Sequence, residues 1–218
     1  MTVVETADPD APTRKQWGRR RGDLGEHVAR TVGGLQARVL RTVPVPEAVS
    51  ALARLRRGIG RTPGFDYTLE DYLYVPDEWV SSAAEPTDAE YALHDAVTLY
   101  ALHQQSRRER MHVDGRGLGQ ALAQLVHVSR NPAGVRRRFA ALGTGSTYHE
   151  STYHLRSLIT MLREHQIPLD YGLLADDLKT LRRPADRPRI QAIWGREFFR
   201  SRPRTDVDTP DTDSPEEN

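Results

Sequence analysis

The chain has 218 residues, 38% hydrophobic and 28% charged, with a formal net charge of +1 at pH 7. That length suffices for one generous domain or two small lobes with a real core. It contains no cysteine, which excludes disulfides, thiolate catalysis and cysteine-based zinc sites.

Residues 205–218 are acidic and hold almost nothing apolar to bury, and residues 1–13 are acidic with no long apolar run, so both are expected to be disordered tails. Between them the apolar residues recur at helical steps. Val28, Val32, Leu35 and Val39 form a first stripe, weakened by Gly33 and Gly34. Pro46 is placed to open a second helix, with Val49, Leu52 and Leu55 on one face and Gly58 or Gly60 ending it. Residues 62–86 are the least regular stretch and predict short turns around LEDYLYVPDEW. Thr87-Asp-Ala-Glu90 has the spacing of a capping box and predicts a helix running to about Gln105. RRERMHVDGRG then reads as a polar connector. Further helices are expected around Leu118–Leu125, Val135–Leu142, Leu155–Leu162, Leu173–Leu181 and Ile190–Phe198, with Trp194, Phe198 and Phe199 as packing residues. There is no β-alternation. The expected fold is all-α and bundle-like, with eight or nine helices in two lobes, residues 14–112 and 113–204.

The near-zero net charge conceals segregation. Every Lys and Arg lies between Arg14 and Arg204, and that body is net +10 once the acidic tails are set aside. Within it, residues 62–106 carry 9 acidic groups and no cation, between two strongly cationic blocks. All but Lys15 and Lys179 of the 31 cations are arginine. Codon bias explains an arginine preference, but it gives no reason for a long stretch without any cation. Such a layout suits a surface that meets a polyanion and is equally that of solvated helix faces.

The motifs for catalysis are incomplete. His149-Glu-Ser-Thr-Tyr-His154 has its histidines five apart, whereas a zincin needs them four apart on one helix face. Gly115-Arg-Gly117-Leu-Gly119 lacks a preceding strand, and Gly143-Thr-Gly145-Ser-Thr lacks the lysine of a phosphate loop. No catalytic residue, metal or cofactor is expected. The arginine clusters are the strongest signal: Arg54, Arg56, Arg57 and Arg61 at a helix end, Arg107, Arg108, Arg110 and Arg116 along the connector, and Arg130, Arg136, Arg137 and Arg138 around a later turn. Guanidinium forks suit phosphate oxygens, and the scarcity of aromatics nearby favours backbone tracking over base stacking. LGQALAQLVHVSRNPAGVRRRFAAL also has a helix-turn-helix rhythm, which leaves a freestanding DNA-binding regulator as the alternative.

An ordered set of segments resembles the CasB family, the small subunit of the type I-E CRISPR surveillance complex Cascade. These are LARLRRGIG at 52–60, LYALHQQ at 99–105, GRGLGQALAQL at 115–125, VRRRFAAL at 135–142, HLRSLITMLR at 154–163, PLDYGLLADDL at 168–178 and WGREFF at 194–199. The resemblance implies an all-helical, two-lobed, non-catalytic subunit, and the lack of an apolar run of signal-peptide or membrane-span length leads to the expectation of a cytoplasmic protein. The resemblance also implies backbone and large subunits, guide RNA and target DNA as partners, with a second copy of the chain beside it and no membrane contact. The arginine clusters above would then contact nucleic-acid backbone, including the displaced strand.

Overall fold

In the computed structural model, residues 18–201 are described; the expected tails lie outside them. Among the described residues nine α-helices carry the fold: α1 (Asp23–Val39), α2 (Pro46–Leu55), α3 (Glu70–Leu73), α4 (Asp88–Gln104), α5 (Leu118–Val128), α6 (Pro132–Thr144), α7 (Tyr148–Glu164), α8 (Tyr171–Leu181) and α9 (Arg187–Arg200). Short 3-10 turns fill parts of the irregular stretch before α4. The extended backbone at His112 pairs with Leu169 as an isolated bridge. The architecture is an all-α bundle.

Most helix starts have a local cause. Pro46 occupies the first turn of α2, where its missing N–H costs nothing. Thr87 and Glu90 close a reciprocal capping box on α4, with Thr87 N–H donating to Glu90 Oε2 at 2.6 Å. Asn131 caps α6 by accepting from Gly134 N–H at 2.9 Å, and Thr147 accepts from Glu150 N–H to start α7. Asp170 accepts from Gly172 and Leu173 at the head of α8.

Helix α4 is apolar nearly all round, with Ala92, Leu93, Ala96, Val97, Leu99, Tyr100 and Ala101 buried, as befits a central helix. It packs against α1, α2, α7 and α8. Helix α8 also lies along α1, and their contact is close enough that a Cβ on Gly172 would sit 2.4 Å from the Gly25 carbonyl oxygen. Helices α5, α6, α7 and α9 extend the bundle through the pairs α5–α9, α5–α6 and α6–α7. One contiguous buried cluster runs from Leu24 to Phe198 and includes residues on both sides of position 112. Two expected packing residues depart from the pattern. Val49 is 46% exposed because Ala48, Ala51, Leu52 and Leu55 already fill the inner face of α2, and Phe199 is 66% exposed while Trp194 and Phe198 take the inner face of α9.

Candidate nucleic-acid interface

Two arginines ahead of α1 are spent inside the fold. Arg19 pairs with Asp177 and, at 3.2 Å, with Glu197. Asp177 is 1% exposed and also accepts from Trp194 Nε1 at 2.7 Å. Arg21 donates to Asp170 at 2.7 Å and pairs with Asp114. Asp176 accepts from the N–H groups of Gly22 and Gly25 at 2.7 and 2.9 Å. Burial raises the pKa values of Asp176, Asp177 and Glu197 against these favourable partners. For Arg19 and Arg21, burial works against the cation but is outweighed by the paired carboxylates, so both are raised. This makes the PLDYGLLADDL and GRGLG segments a structural clamp: Gly115 N–H donates to Asp170 at 2.7 Å and Gly119 N–H to Glu197 at 3.0 Å. The role of Arg19 and Arg21 is not legible in the sequence, because Asp114, Asp170, Asp177 and Glu197 lie 93 to 178 positions away from them.

The expected arginine set divides. Arg54 makes a bidentate pair with Asp66, Nη2 donating to Oδ1 at 2.8 Å and Nε to Oδ2 at 3.2 Å, so its fork is occupied within the chain. Arg116 reaches Gln124 at 3.2 Å. Arg57, Arg61, Arg110, Arg130, Arg136, Arg137 and Arg138 are exposed. Arg136, Arg137 and Arg138 stand on α6, where Arg138 also reaches the Gly134 carbonyl at 3.3 Å.

Arg56, Arg107 and Arg108 are brought together. They line a groove of about 710 Å³ with Arg41, which no sequence signal singles out. The ends of α1, α2 and α4 form its walls through Leu40, Leu52 and Gln104. Arg163, from the last turn of α7, donates to Gln105 on the same wall at 2.9 Å. Helix C-termini favour nearby cations, which gives these arginines a local stabilising role as well. That role is incomplete for Arg56. Burial, and then the neighbouring guanidiniums of Arg163 and Arg57, push its pKa below the ordinary value. Arg107 Nε is buried without a hydrogen-bond partner among the described residues. None of the groove's four arginines is ion-paired among those residues. A half-buried cation beside like charges is stabilised by an incoming anion. Arg108 also lines a second cleft of about 870 Å³ beside α1 with Arg30 and Arg110, where Glu26, Glu109 and Asp114 make the lining mixed in charge.

The other motifs resolve locally. His149 is exposed and His154 half-buried on α7, five positions apart. Among the described residues no group of three His, Asp or Glu side chains is placed to hold a metal ion. Gly143 to Thr147 forms the α6–α7 junction. No helix of the described residues is long and apolar enough to cross a membrane.

The geometry defines an all-helical scaffold with an open arginine groove where helix ends meet. The chain matches the family described as CRISPR-associated protein Cse2 over residues 51–199, and it belongs to that family. Among solved structures it is similar to CasB from Thermobifida fusca, at 39% identity over 82% of this chain and 99% of that one, with a TM-score of 0.66. It shares its fold with a chain of a CRISPR RNA-guided surveillance complex, at 23% identity over 82% of this chain and 94% of that one, with a TM-score of 0.60. Comparison with curated protein sequences gave no match.

Proposed function

We propose that this chain is a non-catalytic subunit of a CRISPR RNA-guided surveillance complex that holds nucleic-acid backbone without reading sequence. The observation that carries this reading is the groove of Arg41, Arg56, Arg107 and Arg108, whose cations lack carboxylate partners among the described residues. Family membership and the similarity to CasB supply the assembly context. The physics suits the task. Exchanging a DNA duplex for an RNA–DNA hybrid is nearly balanced, so modest contacts to the opened strands tip it. The backbone and large subunits of the complex, guide RNA, target DNA with its displaced strand and a second copy of the chain are its partners in this reading. The two expected lobes, 14–112 and 113–204, belong to the same proposal, as does a cytoplasmic setting.

The test is the salt dependence of single-stranded DNA binding by the assembled complex. Each single-strand phosphate that the protein no longer neutralises removes about 0.7 from the slope of log K against log salt. An Arg56→Ala, Arg107→Ala, Arg108→Ala variant is therefore expected to have a slope shallower by about 2, with normal assembly. A variant that assembles normally and keeps both slope and R-loop stability overturns the groove as the nucleic-acid contact. An Arg136→Ala, Arg137→Ala, Arg138→Ala variant asks the same of the α6 face.

A further inference from the structure

The cation-free stretch 62–106 is folded around a second feature. The turns before α4 and the first half of α4 enclose a cleft of about 300 Å³ lined by Glu70, Asp77, Glu90, His94, Tyr67 and Tyr74, among others. Glu90 is committed to its capping box. The carboxylates of Glu70 and Asp77 are exposed on the rim and have no ion pair or side-chain hydrogen bond among the described residues. Tyr67 is 85% and Tyr74 48% exposed beside them.

The floor supplies an independent observation. His94 is 1% exposed and lines this cleft. Its Nδ1 is 3.2 Å from Asp95 Oδ1, and the other oxygen of that carboxylate accepts from the Tyr148 hydroxyl at 2.7 Å. A carboxylate partner places the hydrogen of a neutral ring on Nδ1 and leaves Nε2 as a bare acceptor. Nε2 is buried and has no partner among the described residues. A buried acceptor left unpaired is costly, so the site is complementary to a donor. Asp66 in the lining is already paired with Arg54, and the unpaired carboxylates of Glu70 and Asp77 favour a cationic donor. No three His, Asp or Glu side chains among the described residues are arranged to hold a metal, and a cation that carries its own N–H groups suits the unpaired acceptor.

We propose that this cleft receives an arginine side chain presented by a partner protein, with its guanidinium shared among Glu70, Asp77 and His94 Nε2. Arginine fits better than lysine. Its planar fork carries five donors that divide among several acceptors, it is weakly hydrated, and it stacks on aromatic faces such as the exposed tyrosines. The assembly reading enters only in supplying a protein partner, and the recognition chemistry is testable without it.

The probe is Nα-acetyl-arginine methylamide, titrated at low salt into the full ¹⁵N-labelled chain while the His94 ring nitrogens are followed by NMR. The expected result is a saturable shift at Nε2. The citrulline analogue, equal in shape but uncharged, is expected to leave it unmoved. Glu70→Gln and Asp77→Asn are each expected to weaken the probe about fivefold, the effect of one partly exposed charge pair. Both carboxylates are on the surface, so the variants keep the fold, which the unchanged remainder of the spectrum verifies. Absence of a saturable shift, or an equal response to the citrulline probe, overturns the proposal. If dilution of the protein, or alanine at its own Arg14 and Lys15, moves the same resonance, the occupant is the chain itself and the partner assignment falls. Loss of nucleic-acid binding in the groove variant would leave every one of these outcomes unchanged.

Discussion

Replacing Gly119 with alanine tests the clamp between α5 and α9 through a single methyl group. The new Cβ would lie 2.1 Å from the Trp194 carbonyl oxygen and 2.8 Å from the Phe198 backbone nitrogen. Both neighbours are backbone, so no side chain can swing aside and α9 must move. Overpacking of this kind costs about 1–3 kcal/mol. The movement also stretches the 3.0 Å bond from Gly119 N–H to Glu197, and a bond to a charged group contributes about 1.5–3 kcal/mol. Removing a helical glycine returns up to about 1 kcal/mol. The net expectation is a loss of about 1.5–5 kcal/mol, a large share of the roughly 5–15 kcal/mol that holds a domain together. Gly34→Ala is the internal control. Gly34 is an exposed residue within α1 with nothing within 4 Å of its would-be Cβ, so only the propensity gain remains and the protein is expected to become more stable by up to about 1 kcal/mol. Urea unfolding of both variants reads the two signs. If Gly119→Ala unfolds at the parent's midpoint or above it, the close α5–α9 packing is not the constraint described.

His103 gives a pH prediction. Burial depresses its pKa to about 3, so below the ordinary value of about 6.5 the unfolded chain takes up a proton that the folded chain refuses. Stability is therefore expected to fall by about 2 kcal/mol between pH 6.5 and 5, with His112, also lowered by burial, adding in the same direction. Denaturation at a series of pH values should show a shallower decline for His103→Gln, and parallel curves would refute the assignment. Asp177→Ala strands Trp194 Nε1 and leaves Arg19 with Glu197 alone, and removal of one partner from a buried pair is expected to cost about 3–5 kcal/mol in urea unfolding; Asp177→Asn, which keeps an acceptor for Trp194, should cost less. Arg54→Ala breaks the pair with Asp66 and is expected to leave the salt slope of single-strand binding within error of the parent, whereas a shallower slope would return Arg54 to the interface.

Local chemistry wrote the helices plainly into the chain. The Thr87–Glu90 box, Pro46 and the apolar stripes of α7 and α8 act within a turn or two, and each stands where its spacing predicts. The cation-free stretch is equally visible, and part of it becomes the acidic cleft. Charge partners are not visible, because an ion pair has no period. Arg54 reads as an available cation until Asp66, 12 positions on, is folded back against it. The basic groove needs the ends of three helices at one corner, and no local pattern places Arg41 next to Arg107. Motif glycines such as Gly119 resemble part of a dinucleotide fingerprint without its preceding strand, and their use in helix packing emerges only when α9 arrives.

The Arg19 clamp bears on how this protein is made. Its acceptors, Asp177 and Glu197, lie 158 and 178 residues after it, so on the ribosome the residues ahead of α1 wait for nearly the whole described chain. Until α9 has emerged, Asp177 lacks Trp194 and Arg19 lacks Glu197, and the helices already formed carry an acidic face without its full set of partners. Contacts of such long sequence separation slow folding. They also make completion of the last helix the event that locks the first, so a nascent chain halted before α9 would be an open, protease-sensitive bundle and not a smaller version of the finished one.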